Sequence, residues 1–142
     1  MRHRAELRGL SSDHHSALIL ALRCKRISPS PGFDFASFWR ETCETFERQL
    51  EPHFHIEEQF LLPALERLGE AKMAGRIRSE HAALRALRDD PKASAQTAIE
   101  LGTLLERHIR FEEREVFEPI QDRLDPSVLA AIADATIEKS SR

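Results

Sequence analysis

Two segments of this sequence repeat the same pair of candidate metal ligands at helical spacing. His53 precedes Glu57 by four residues, and His108 precedes Glu112 by four residues. Residues four apart on an α-helix lie on one face with their Cβ atoms about 6 Å apart, so each pair could clamp one cation. Spacing alone is a weak signal, because a chain this rich in Glu and His produces such pairs by chance.

The position of both pairs on apolar stripes strengthens the signal. One stripe comprises Phe46, Leu50, His53, Glu57 and Leu61, and the other comprises Leu101, Leu104, His108, Glu112 and Val116. Both pairs are therefore predicted to face the core. An unpaired buried carboxylate costs several kcal/mol, and a bound cation would compensate that cost.

Two further helical segments each offer another histidine on an apolar face. His81 continues the stripe of Met73, Ile77 and Leu84, and His15 has Leu18, Ile19 and Leu22 at helical offsets. His14 remains the alternative to His15, because a shift of one residue in helix phase would exchange them. A single inward histidine is often only a hydrogen-bonded core residue, but four helices that each place such a group inward favour a metal site.

Together these positions would bring four imidazoles and two carboxylates to one cavity. Such a set suits a dinuclear site in which the carboxylates bridge two metals that the imidazoles cap. The nitrogen and oxygen donors are typical of iron or manganese and less so of structural zinc.

The elements that must position these ligands are predicted to be helices. Apolar periodicity indicates an all-α fold, an antiparallel up-down-up-down four-helix bundle with a short C-terminal fifth helix. The predicted ranges are 12–26, 35–68, 70–88 and 93–117 for the bundle and 126–139 for the extra helix, which should pack outside it.

Capping residues and prolines set the expected ends of these helices. Ser11, Ser12 and Asp13 are candidate N-caps of the first helix, the segment 28–32 is the loop after it, and Asp34 is the N-cap of the second. Gly69 should end the second helix, and Asp125 with Pro126 should start the fifth. Kinks are expected at Pro52 and Pro63, and Glu118 with Pro119 should bend or end the fourth helix.

Length and charge limit the function classes. A chain of 142 residues fits one domain, 1–142, and its net charge of −3, with both signs mixed along the chain, gives no basic stripe for nucleic acid. A charged N-terminus from Met1 to Arg8 and the lack of a long apolar run predict a cytoplasmic protein without a membrane partner. Cys24 and Cys43 lack metal-binding spacing and are expected to be packing residues.

These residues resemble the hemerythrin-like, or HHE cation-binding, family. Its pattern is one His, then HxxxE, then one His, then HxxxE or HxxxxD, across four helices. The matching segments are residues 10–18, His53 through Pro63, Glu80 with His81, and 108–113, so the resemblance covers nearly the whole chain and is close to bacterial single-domain members.

The resemblance implies a ligand set for two iron ions. His15 (or His14), His53, His81 and His108 would ligate them, Glu57 and Glu112 would bridge them, and an oxo or hydroxo group would complete the bridge. Manganese or zinc are the alternative metals. Oxygen-carrying members have a further His one turn before the third-helix His, and here that position is Ile77.

The missing imidazole leaves both irons with open positions and favours reaction with a small oxidant over reversible oxygen binding. We therefore expect a protein that binds or reduces O2, H2O2 or NO in sensing, detoxification or iron handling, without catalytic residues separate from the metal site. The alternatives are a metal-switched interaction or sensory module and a structural bundle stabilised by a cation such as zinc. The redox partner and the choice between monomer and homodimer stay open.

Overall fold

The chain folds into helices joined by short loops. A computed structural model describes residues 4–28 and 30–140, and every regular element in these ranges is helical. Residues 1–3 of the charged N-terminus, Pro29 of the predicted first loop and residues 141–142 lie outside the described ranges. The predicted all-α class is therefore confirmed for the described part, as a bundle of helices.

Five helices follow one another along the described part of the chain. A 3₁₀ turn, Ala5–Leu7, leads into α1, Arg8–Lys25. Helix α2 (35–67) consists of Phe35–Thr45, Phe46–Leu50, Glu51–Ile56, Glu57–Leu61 and Leu62–Arg67. Helix α3 is Ala71–Arg88, α4 (95–120) consists of Ala95–Phe111, Glu112–Phe117 and Glu118–Ile120, and α5 is Pro126–Ser140.

Several helix ends follow the predicted capping chemistry. The Asp34 carboxylate accepts a hydrogen bond from the Ser37 N–H at 3.1 Å at the start of α2, and Asp125 accepts from the Ser127 N–H at 2.8 Å at the start of α5. Gly69 follows α2 with φ of 83°, a left-handed conformation that suits glycine.

The start of α1 differs from the sequence-based expectation. The helix begins at Arg8 rather than near residue 12, so Ser11, Ser12 and Asp13 lie inside it and are not N-caps. The Ser11 hydroxyl instead donates to Glu113 at 2.9 Å, and Asp13 lies 3.0 Å from the His53 ring. These side chains serve contacts between helices instead of the helix end.

Prolines are accommodated in α2 by wider helical turns. The π-helical segments Phe46–Leu50 and Glu57–Leu61 immediately precede the segments that contain Pro52 and Pro63. The residue before each proline donates its N–H five residues back, from Glu51 to Phe46 and from Leu62 to Glu57. Because proline lacks an N–H and crowds the carbonyl four residues back, the wider turn lets the helix continue.

The core consists of two apolar clusters with polar residues between them. One cluster includes Leu10, Leu61, Ile77, Val116 and Ile132. The other includes Ala17, Leu50, Leu84, Leu101 and Leu105. Each of α1 to α4 contributes to both clusters, and its buried histidine lies close to the point along the chain where one cluster gives way to the other. None of the described helices combines the length and apolar character needed to cross a bilayer.

Gly102 allows α4 to approach α1 closely. A Cβ atom at this position would lie 2.5 Å from the Ala21 carbonyl oxygen, which belongs to the α1 backbone and cannot rotate away. By contrast, a Cβ at Gly75 in α3 would meet open space. Gly102 and Gly75 are therefore opposite cases.

We expect Gly102→Ala to lower the free energy of unfolding by about 1–3 kcal/mol, because overpacking outweighs the gain in helix propensity. Gly75→Ala should raise it by roughly 0.5–1 kcal/mol, because only the backbone entropy changes. Urea unfolding of both variants measures the two effects, and a stabilising Gly102→Ala would contradict the packing of α1 on α4.

Candidate metal centre

The predicted ligands on α2, α3 and α4 converge in the interior. His53, Glu57, His81, His108 and Glu112 are each at most 2% exposed. Together with His14 they form two groups of candidate ligands among the described residues, and within each group the ligand atoms all lie within 4.8 Å of one another. The structure thus brings together every predicted site residue from these three helices.

On the first helix, His14, which the sequence left as the alternative to His15, faces the cluster. His14 is buried at 3% exposure, whereas His15 is exposed. His14 shares its face with the small residues Ala17 and Ala21, while Ile19, which shares a face with His15, is 46% exposed. Of the apolar residues used to choose the phase, Ile19 is therefore exposed and Leu18 and Leu22 are only half-buried, whereas Ala17 and Ala21 are buried.

The two groups share both carboxylates. One group consists of His14, His53, Glu57 and Glu112, and the other consists of Glu57, His81, His108 and Glu112. Each group therefore has two imidazoles of its own, and Glu57 and Glu112 belong to both.

The imidazole Nε2 atoms point at these shared carboxylates. Nε2 of His53 and of His81 lie 3.2 Å and 3.1 Å from the two oxygens of Glu57. Nε2 of His14 and of His108 lie 2.8 Å and 3.4 Å from the two oxygens of Glu112. All four histidines thus present the same nitrogen to the centre.

The Nδ1 atoms face an outer set of carboxylates, and each of these comes from a different helix. Asp13 of α1 lies 3.0 Å from His53 Nδ1, and Glu58 of α2 lies 2.7 Å from His81 Nδ1. Glu80 of α3 lies 2.7 Å from His108 Nδ1, and Glu113 of α4 lies 3.5 Å from His14 Nδ1. Three of these contacts are hydrogen bonds that orient the histidine of the next helix, and the longer contact of Glu113 with His14 closes the ring from α4 to α1.

Cationic or hydroxyl groups hold the outer carboxylates in turn. Lys139 lies 2.6 Å from Asp13, Arg85 lies 2.8 Å from Glu58, and Arg76 lies 3.1 Å from Glu80. Glu113 accepts the Ser11 hydroxyl. Burial opposes ionisation of Glu58, yet His81 and Arg85 lower its pKa to about 2.

Several buried atoms at the centre have no hydrogen-bond partner among the described residues. They are Nε2 of His53, His81 and His108, both oxygens of Glu57, and Oε2 of Glu112. Buried polar groups in folded proteins almost always have hydrogen-bond partners. This many unpartnered nitrogen and oxygen atoms that point at one another therefore indicate a bound ion. A cation that accepts nitrogen and oxygen donors fits them.

Comparison with known protein families identifies this arrangement. Residues 7–120 match the hemerythrin HHE cation binding domain. The chain belongs to this family. No curated protein and no solved structure matches it. The hemerythrin match together with the buried His and Glu groups indicates that the chain binds a metal cation.

The outer carboxylates Asp13 and Glu80 of this hemerythrin domain were missed from the sequence. An internal signal was present, because an acidic residue immediately precedes the buried histidine in both α1 and α3, as Asp13-His14 and Glu80-His81. Likewise, each HxxxE pair is followed at once by a second Glu, Glu58 or Glu113. Matching Asp13-His14 to Glu80-His81 would also have selected His14 over His15 as the candidate ligand.

Without a metal, the hemerythrin site is a network of buried ion pairs. Burial disfavours charge on His108, but Glu112 and Glu80 raise its pKa to about 10. Burial also disfavours charge on Glu112, yet His108, His14 and His53 hold the pKa of this carboxyl well below its ordinary value. Protons on the imidazoles therefore balance the carboxylates when no cation does.

We expect the stability of the metal-free protein to fall as the pH rises from about 6.5 to about 8. The His108 pKa is near 6.5 in the unfolded chain and about 10 in the folded one. The folded state therefore holds more protons in this window, and the stabilisation present below pH 6.5 is lost as the pH rises. Thermal unfolding of chelator-treated protein measures the trend.

His55 provides the matched control, because it lies in the same helix as His53 but is 70% exposed. His108→Gln should reduce the pH dependence of the Tm without removing it, because the pKa values of His14, His53 and His81 are raised as well. His55→Gln should leave it as in the wild type. Keeping below about pH 8 avoids ionisation of the cysteine thiols. A metal-free Tm that rises over this range would contradict the ion-pair description.

Proposed function

We propose that the chain is a diiron protein that binds or reduces a small oxidant, O2, H2O2 or NO. One iron would be held by His14 and His53 and the other by His81 and His108, with Glu57 and Glu112 shared between them. The observation that carries this proposal is the pair of ligand groups with two imidazoles each and both carboxylates in common. A cytoplasmic role in sensing, detoxification or iron handling follows as part of the proposal.

We also propose that α1 to α4 form the antiparallel four-helix arrangement expected from the sequence. Its support is the order of the two apolar clusters along each helix. Helix α1 passes from Leu10 of the first cluster to Ala17 of the second, whereas α2 passes from Leu50 of the second to Leu61 of the first. Helix α3 passes from Ile77 of the first cluster to Leu84 of the second, and α4 passes from Leu105 of the second to Val116 of the first.

The chemistry of the donors favours iron over structural zinc. Neither ligand group contains a cysteine, and carboxylates shared between two imidazole-capped positions suit iron or manganese. When bound, the iron pair supplies the electron transfer that no side chain here can perform. The protein would contribute fixed ligand directions through the Nδ1 contacts and an environment that excludes water.

Aromatic rings provide that environment. Phe54 stacks on the His81 ring with a centroid distance of 3.8 Å, and Phe117 stacks on the His14 ring at 5.3 Å. Both phenylalanines are about 1% exposed. Their packing would restrict ring rotation of two ligands and limit access to small molecules.

The ligand count favours small oxidants over reversible oxygen carriage. Oxygen-carrying members have a histidine at the position of Ile77, which here is fully buried in the apolar cluster one turn before His81. Each proposed iron then has two imidazoles and the shared carboxylates, so both irons keep coordination positions for a small ligand.

We expect iron reconstitution to load two irons per chain with the visible absorption of a diferric centre. Glu112→Ala or Glu57→Ala should abolish dinuclear loading, because each removes a carboxylate shared by both positions. Metal analysis and absorption spectroscopy measure the loss. Glu115→Ala is the matched control, since Glu115 lies one turn further along α4 and is exposed.

Other outcomes of this experiment support the rival hypotheses. A colourless protein with one zinc per chain would support a structural bundle stabilised by that cation. A loss of iron in Glu115→Ala equal to that in Glu112→Ala would contradict the proposed ligand set.

Anaerobic addition of H2O2 or NO to the reduced, iron-loaded protein separates reaction from binding. Repeated reoxidation with excess H2O2 and reductant would indicate turnover, and we expect it because both irons have open positions. A single stable spectral change that persists with excess reagent would instead indicate a sensor that binds its ligand.

A further inference from the structure

Helix α5 contacts the metal centre although it lies outside the hemerythrin match, which covers residues 7–120. Its last turn places Lys139 Nζ 2.6 Å from Asp13 Oδ2. The same oxygen lies 3.0 Å from Nδ1 of His53. The Lys139 side chain is only 17% exposed, so this ion pair is largely removed from solvent.

The position of α5 is fixed by packing. Leu129 and Ile132 are buried in the first apolar cluster, and Thr136 is buried against α1. A Cβ atom at Gly9 would collide with the Thr136 methyl group, so glycine in α1 permits this close approach. Lys139 follows Thr136 by three residues and is therefore carried to Asp13 by a helix that is part of the core.

The two ligand groups differ in the origin of the cations around them. Arg85 and Arg76, which hold the carboxylates facing His81 and His108, both belong to α3 within the family match. On the side of His14 and His53, Asp13 pairs with Lys139 and Glu113 accepts the neutral Ser11 hydroxyl. The cation that pairs with Asp13 thus comes from α5.

We propose that Lys139 is a positioning residue for the metal ion held by His14 and His53. Its ammonium group holds the partly exposed Asp13 carboxylate in place, and Asp13 fixes the ring of His53 so that Nε2 points at the shared carboxylates. This inference rests on the proposed dinuclear site. It assigns to α5 a role at one of the two metal positions and none at the other.

The test uses Co2+ as the probe in the full chain, with release to excess EDTA followed by absorption. Loss of a partner in the outer shell typically weakens metal binding by 10–100-fold. We expect Lys139→Met to accelerate release of one of the two ions by about tenfold, at the lower end of that range, and to leave the other unchanged. Lys139→Arg should retain slow release of both.

Further variants identify which ion is affected. Asp13→Asn should accelerate the same ion, and the double variant should release it no faster than Asp13→Asn alone, because Lys139 acts through Asp13. Glu80→Gln should instead accelerate the ion held by His81 and His108. Gly9→Ala, which displaces α5 without changing Lys139, should reproduce the effect of Lys139→Met.

Lys25→Met is the matched control. Lys25 also pairs with a carboxylate on another helix, but its partner is Glu106, which is not one of the outer carboxylates. This variant should release both ions at the wild-type rate. Equal acceleration of both ions in Lys139→Met would overturn the inference, because it would indicate a general loss of stability. Unchanged release of both ions would also overturn it.

The number of Co2+ ions that the wild-type protein binds distinguishes failure of the proposed dinuclear site from failure of the inference about Lys139. If it binds fewer than two Co2+ per chain, the dinuclear function itself fails and the inference fails with it. If it binds two and Lys139→Met releases both at the wild-type rate, the dinuclear site stands and the role of Lys139 does not.

Discussion

The structure depends on the compensation of two fully buried carboxylates. Glu57 and Glu112 have no exposed surface, and isolated carboxylates in such a position would cost several kcal/mol each. Four imidazoles surround them, and either protons on these rings or a bound cation pair can balance the charge. Metal binding and protonation therefore compete for the same nitrogen atoms, and the helices must hold these atoms together in both states.

An internal repeat explains how the chain achieves this arrangement. The first half contributes Asp13-His14 from α1 and the run His53 to Glu58 from α2. The second half contributes Glu80-His81 from α3 and the run His108 to Glu113 from α4. In both halves the acid before the first histidine faces Nδ1 of the second, at 3.0 Å and 2.7 Å. Each half supplies one pair of imidazoles and one shared carboxylate, so the repetition produces two equivalent groups of candidate ligands.

The sequence predicted the helices and the inner ligands because both follow from local periodicity. A residue four positions from another on one helix shares its face whatever the rest of the fold does, so His53 with Glu57 and His108 with Glu112 could be placed in advance. The residues after His14 did not indicate the phase of α1, because the buried positions there include Ala17 and Ala21 while the more apolar Ile19 is exposed. Small residues mark a close helix contact, which becomes visible only when the partner helix is known.

Contacts between helices were harder to predict, because the periodicity of one helix does not indicate which residues of another helix it meets. Lys139 and Asp13 are 126 residues apart, and nothing in either segment alone indicates that they meet. The two halves of the site repeat their ligands but not their outermost cations, because α3 supplies Arg76 and Arg85 to one half and α5 supplies Lys139 to the other. A site that is repetitive at its centre is therefore asymmetric at its edge, where a helix outside the repeated unit contacts one ligand group through Asp13.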